Sequence, residues 1–92
     1  MEATSLRSLA AFCGATIAPE TDVTITGIAR DNRAVLPGDL FLAIRGEQFD
    51  GHNFVRGAAR AGAVAALVEK PVRDCPIPQM QVPDTLIALG DI

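Results

Sequence analysis

Apolar and polar positions follow two rhythms along this chain. Leu40 to Ile44 and Val64 to Val68 are short uninterrupted apolar runs, the pattern of strands covered on both faces. Val23 to Ala29 instead alternates apolar residues with Thr24 and Thr26, as a half-buried strand does, and Gly27 within it predicts a bulge or a close backbone approach. Helical spacing appears in three places. Thr4 or Ser5 can cap a helix carrying Leu6, Leu9, Ala10 and Phe12-Cys13, stopped by Gly14. Asp50 stands where a cap belongs, ahead of Phe54, Ala58 and Ala61, with Gly62 as the stop. Asp84 caps a last helix with Leu86, Ile87 and Leu89 apolar.

Between these lie Pro37-Gly38, a strong turn signal, and a proline-rich connection over 70–78. Ala15 to Ala18 forms a further short strand before Pro19. The fold class that results is α/β: a small three-layer domain with a short, mostly parallel sheet and a right-handed βαβ unit. Its strands fall at about 24–29, 39–44, 64–69 and 79–82, its helices at about 5–13, 51–61 and 84–92. Apolar residues reach the last position without a stop signal, which predicts that the chain continues beyond Ile92.

Composition narrows the function classes. At 92 residues, 49% hydrophobic and 21% charged, the chain is one globular domain. With four Phe and no Trp or Tyr, its core is built from Ala, Val, Leu and Ile. A net charge of −3 argues against a nucleic-acid or anionic-membrane surface. No basic segment precedes an apolar core at the N-terminus and no long apolar span occurs, so the reading is neither secreted nor membrane-embedded but cytoplasmic. Cys13 and Cys75 make no disulfide framework, and one histidine with no clustered cysteines makes no zinc site.

Two polar clusters each come directly after an apolar strand: Arg30-Asp31-Asn32-Arg33, and Arg45 to His52. If the strands are parallel neighbours, both clusters share one sheet edge, where open α/β sheets bind ligands. Arginine forks suit phosphate, Asn32 and Gln48 carry the donor and acceptor a nucleobase edge needs, and Phe49 could stack on a base. Gly46 and Gly51 let backbone approach the ligand, and a helix start at Asp50 adds a positive dipole end. Plainer readings stand beside these. Asp50 serves as a structural cap, His52 as a satisfied surface histidine, Glu47 as a solvated carboxylate, and Asp31 with Arg33 as a surface pair of little energetic weight. No phosphate loop, elbow serine or paired-carboxylate cleft is visible, so the chain reads as binding without chemistry.

Ile28-Ala29-Arg30-Asp31-Asn32-Arg33, Leu36-Pro37-Gly38-Asp39-Leu40-Phe41-Leu42-Ala43-Ile44, Gly46-Glu47-Gln48-Phe49-Asp50-Gly51-His52-Asn53-Phe54 and Ala61-Gly62-Ala63 resemble the N-terminal domain of Mur ligases of peptidoglycan synthesis. With Pro78-Gln79 and Val82-Pro83-Asp84-Thr85-Leu86, the form is most like the members adding D-alanyl-D-alanine; those adding diaminopimelate or lysine are the alternative. The resemblance implies a domain over 1–83 that binds the UDP end of a UDP-N-acetylmuramoyl peptide, with 84–92 starting a helix toward a central ATP-binding domain. It implies UDP contacts at Asn32, Arg33, Gly46, Glu47, Gln48, Phe49 and Asp50, and no catalytic or metal-binding residue. Cofactors are expected elsewhere: ATP and magnesium in that central domain, and none in this chain, which alone should not ligate anything. The expected partners are the UDP-N-acetylmuramoyl peptide and the remaining domains of an ATP-dependent, amide-bond-forming ligase. The sequence departs from the family at Asn32, where Ser or Thr is usual; an amide still bonds a uracil, with longer reach. A rival from another class is a stand-alone interaction module that keeps the fold and binds a protein.

Overall fold

The computed structural model describes residues 2–44 and 50–91. In chain order they form β1 (Thr4–Ser5), α1 (Leu6–Cys13), β2 (Thr16–Ala18), β3 (Thr24–Ile25), β4 (Gly27–Ala29), β5 (Asp39–Leu42), α2 (Val55–Ala61), β6 (Ala65–Val68), β7 (Gln79–Gln81) and α3 (Thr85–Asp91). Five strands make one sheet in the spatial order β2-β7-β6-β5-β4. From β4 to β7 every pair is parallel, with Ala29 beside Phe41, Leu42 beside Leu67 and Leu67 beside Met80. Only β2 runs antiparallel, laying Ile17 beside Met80.

The period of two along each strand sorts the core into two halves. Leu40, Leu42, Ala65, Leu67 and Met80 pack with Leu6, Leu9 and Ala10 of α1 and Ala88 of α3. Phe41, Ala43, Ala66 and Val68 pack on the other face with Val55 and Ala58 of α2 and with Val35. Three layers result, as the sequence predicts. All four residues of β5 and all four of β6 are buried, which is why those two segments read as unbroken apolar runs. Cys13 and Cys75 pack against opposite faces of the sheet. No helix among the described residues is long and apolar enough to cross a membrane.

The expected strand over 24–29 is two strands. Thr24 and Ile25 pair with β1, whereas Gly27 to Ala29 pair with β5; between them the Thr26 N–H donates to the Gly38 carbonyl at 3.0 Å. At the break the chain meets a side chain from β5. Asp39 is buried and its carboxylate accepts from the Leu36 N–H at 2.9 Å, and a Cβ on Gly27 would run into that carboxylate. Gly27 is thus the close approach the sequence signals. The expected helix over 51–61 also divides, into a 3-10 turn at Gly51–Phe54 and then α2. Gly62 ends α2 at φ 120°, with its Cα facing the Pro37 backbone. Gln79 closes the proline-rich connection by bonding Val72 twice, accepting at 2.6 Å and donating at 2.9 Å.

Candidate nucleotide site at the carboxyl ends of β4 and β5

The parallel pairing of β4 with β5 puts the ends of both strands on one rim. Chain leaving β4 turns immediately: Asp31 accepts from the Arg33 N–H at 2.9 Å and caps a 3-10 turn over Asn32–Ala34. Chain leaving β5 runs to Ile44, whose carbonyl takes the Gly51 N–H at 2.9 Å. Arg30 to Arg33 of the first cluster and Gly51 of the second therefore border one cavity.

Between them lies a cavity of about 550 Å³. That is within the range of pockets for ligands of nucleotide size. Arg30, Asp31, Asn32 and Arg33 line it together with Phe41, Ile44, Gly51 and Phe54. Charged and amide groups together with aromatic and aliphatic ones suit a ligand with an anionic or hydrogen-bonding end and a flat apolar ring. The Arg33 guanidinium lies along the Asp31 carboxylate, with Nε 3.1 and 3.2 Å from its two oxygens and Nη2 at 2.8 Å. The Arg33 side-chain and backbone bonds hold the Asp31 carboxyl at about 2, below its ordinary 3.8, and the carboxylate in turn raises Arg33. Both groups face solvent, so this pairing orients the guanidinium more than it stabilises the fold.

Of the predicted site residues, Asn32, Arg33 and Asp50 can be placed. Asn32 is half-buried and Arg33 exposed, and both border the cavity. Gly46, Glu47, Gln48 and Phe49 lie outside the described residues. Asp50 sits at the far end of their segment, where it accepts from the His52 N–H at 3.0 Å and meets the His52 ring at 2.6 Å. The cap predicted there is present. The helix dipole expected beside it is not, because Asp50 caps a four-residue 3-10 turn and the helix after it has only seven residues. His52 is corrected too: its side chain is 13% exposed and bonded on both sides, not a surface group. Sequence reasoning misses Phe41 and Phe54. Phe41 is indistinguishable from core by its pattern, whereas an aromatic one turn into a helix yet 36% exposed is a signal only the structure supplies.

Among the described residues no group of three or more His, Cys, Asp or Glu could hold a metal ion. Nor does the sequence contain a Gly-x-x-x-x-Gly-Lys-Ser/Thr loop.

Known proteins share this geometry. The sequence profile of the Mur ligase family, catalytic domain, matches residues 24–91. A UDP-N-acetylmuramoyl-tripeptide–D-alanyl-D-alanine ligase from Synechocystis sp. is 46% identical over 73 residues, covering 77% of this chain and 16% of that protein. A UDP-N-acetylmuramoyl-L-alanyl-D-glutamate–2,6-diaminopimelate ligase from Aquifex aeolicus is 47% identical over 66 residues, covering 72% of this chain and 14% of that protein. The crystal structure of MurF from Acinetobacter baumannii superimposes with a TM-score of 0.86 at 37% identity, over 99% of this chain and 20% of that one. The chain thus spans about a sixth of the length of the curated relatives it matches. With the profile covering most of its length and the fold and motifs in register, the chain belongs to the Mur ligase family.

Proposed function

We propose that this chain is the UDP-substrate-binding N-terminal domain, over 1–83, of a cytoplasmic ATP-dependent ligase that adds D-alanyl-D-alanine to a UDP-N-acetylmuramoyl tripeptide. The cavity at the ends of β4 and β5, lined by Asn32, Arg33 and Phe54 among others, carries the proposal. Asn32 offers the donor and acceptor for a uracil edge, Arg33 and Arg30 offer guanidinium donors to the diphosphate, and Phe54 offers a ring face. Anchoring the nucleotide here holds the distant peptide carboxylate where a central domain, reached through α3, carries ATP, magnesium and the bond-forming chemistry. By itself this domain would bind and not ligate.

The choice of D-alanyl-D-alanine over diaminopimelate or lysine is supported by the fit to MurF over 99% of the chain, although identities to the two relatives are alike. Exposed Leu86 and Ile87 on α3 favour the second reading, a protein-binding module. Calorimetric titration with UDP and with UDP-N-acetylmuramoyl tripeptide separates the two. Saturable binding is expected, weakened about 10- to 100-fold in Arg33→Ala through loss of charge-assisted hydrogen bonds. No heat from either ligand, with the fold intact, would refute the nucleotide reading.

A further inference from the structure

His52 is held from both sides in a way that fixes its protonation. On one side its Nδ1 lies 2.6 Å from Asp50 Oδ1. On the other its Nε2 lies 3.0 Å from the Glu69 N and 3.4 Å from the Lys70 N. A backbone N–H can only donate, so Nε2 must be the bare, accepting nitrogen. The proton then sits on Nδ1 and is donated to the carboxylate. Glu69, just past the end of β6, continues the chain of contacts: its carboxylate accepts from the N–H and hydroxyl of Thr85, at 3.0 and 3.2 Å. Thr85 is 1% exposed and opens α3.

We propose that His52 is a positioning residue: in its Nδ1–H form it locks the Asp50 end of the 45–50 segment to the end of β6, and through Glu69 to the first turn of α3. As far as nucleotide affinity is concerned, this rests on the function proposed above. Three things argue for a relay and not mere filling of space. The ring is nearly buried, both nitrogens are used, and they join segments 17 residues apart. Asp50 carries the return of the nucleotide segment, and its carboxylate is oriented by the ring and by the turn it caps. The relay therefore ties a filled or empty nucleotide site to the orientation of α3.

Two substitutions divide the relay. His52→Asn keeps a donor near Nδ1 for Asp50 and gives up the acceptor for Glu69; His52→Gln keeps an acceptor near Nε2 and gives up the Asp50 bond. The assays are imidazole 15N chemical shifts, UDP titration, and amide hydrogen exchange at Gly51, Glu69 and Thr85, all on the 92-residue chain. The wild-type ring should show a protonated Nδ1 and a bare Nε2. Each variant, while still folded, should raise the UDP dissociation constant about tenfold, the worth of one hydrogen bond. Protection at Thr85 should fall together with that at Gly51 in His52→Asn. A ring protonated at Nε2 overturns the proposal, as do folded variants with wild-type affinity and undiminished protection. If the wild-type chain binds no UDP, the nucleotide reading fails alone; the tautomer and the joint loss of protection still decide the relay.

Discussion

Two glycines in one short stretch should respond to alanine with opposite signs. Gly62 ends α2 at φ 120°, ψ 1°, and its N–H caps the carbonyls of Ala58 and Ala59. A Cβ added there would lie 2.9 Å from Pro37 Cα and 3.2 Å from Pro37 N, both backbone atoms that cannot rotate aside. The Gly62 carbonyl also accepts the Gly38 N–H at 3.1 Å, so any shift is passed to the turn entering β5. Strain at a left-handed position and overpacking each cost about 1–3 kcal/mol. Relaxation shares part of the two, and about 2 kcal/mol is expected for Gly62→Ala. Gly57, inside α2, has nothing within 4 Å of an added Cβ. Gly57→Ala should stabilise by roughly 0.5–1 kcal/mol, the ordinary gain from removing a mid-helix glycine. For a domain of this size the first change lowers Tm by roughly 8–16 °C and the second raises it by roughly 2–8 °C. Thermal melts monitored by circular dichroism, with urea unfolding as a check, measure both. If Gly62→Ala melts within about 2 °C of wild type, or if Gly57→Ala is the more damaging change, the account of how α2 is terminated against the Pro37 turn is wrong.

Other outcomes come from the same geometry. Asp31 has a carboxyl pKa lowered from 3.8 to about 2, so its pairing with Arg33 favours the fold fully above 3.8 and ceases to as pH falls through about 2. Carboxyl 13C titration should therefore place Asp31 near 2 in the wild type and higher, still below 3.8, in Arg33→Ala, which loses the guanidinium and keeps the backbone N–H bond; equal midpoints in the two proteins would show the side-chain pair to be absent in solution. Asp84→Ala removes the acceptor for the Leu86 and Ile87 N–H groups, at 2.8 and 3.2 Å, and should cost about 1 kcal/mol by urea unfolding. An unchanged urea midpoint would mean that another group caps α3.

Most of the sheet is legible in the sequence because its central strands are covered on both faces, which forces an unbroken apolar run in Leu40 to Ile44 and Val64 to Val68. Helix ends are legible where side chains cap them locally: Ser5 accepts the Ser8 N–H at 3.0 Å and Asp84 that of Leu86. The features that escape depend on distant partners. The division of the segment over 24–29 falls where the buried Asp39 carboxylate lies beside Gly27, and β1 is two residues with no pattern of their own. At the site, Asn32 and Arg33 can be found because they come directly after a strand. Phe54 and the role of His52 cannot, since the first needs the cavity and the second needs Glu69 to arrive from β6.

The spatial order of the sheet carries a kinetic consequence. From β4 to β7 each strand is laid beside the one just before it, Gly27 joining Asp39, Leu40 joining Ala65 and Ala66 joining Gln79. Each closure spans a modest length of chain, so the pairing steps can proceed in the order of synthesis. Only the clasp of Thr16 on Gln81 reaches back across most of the chain, and it can form last, once β7 has emerged. A ribosome making this protein would thus complete the rim at the ends of β4 and β5 before β2 is sealed onto β7.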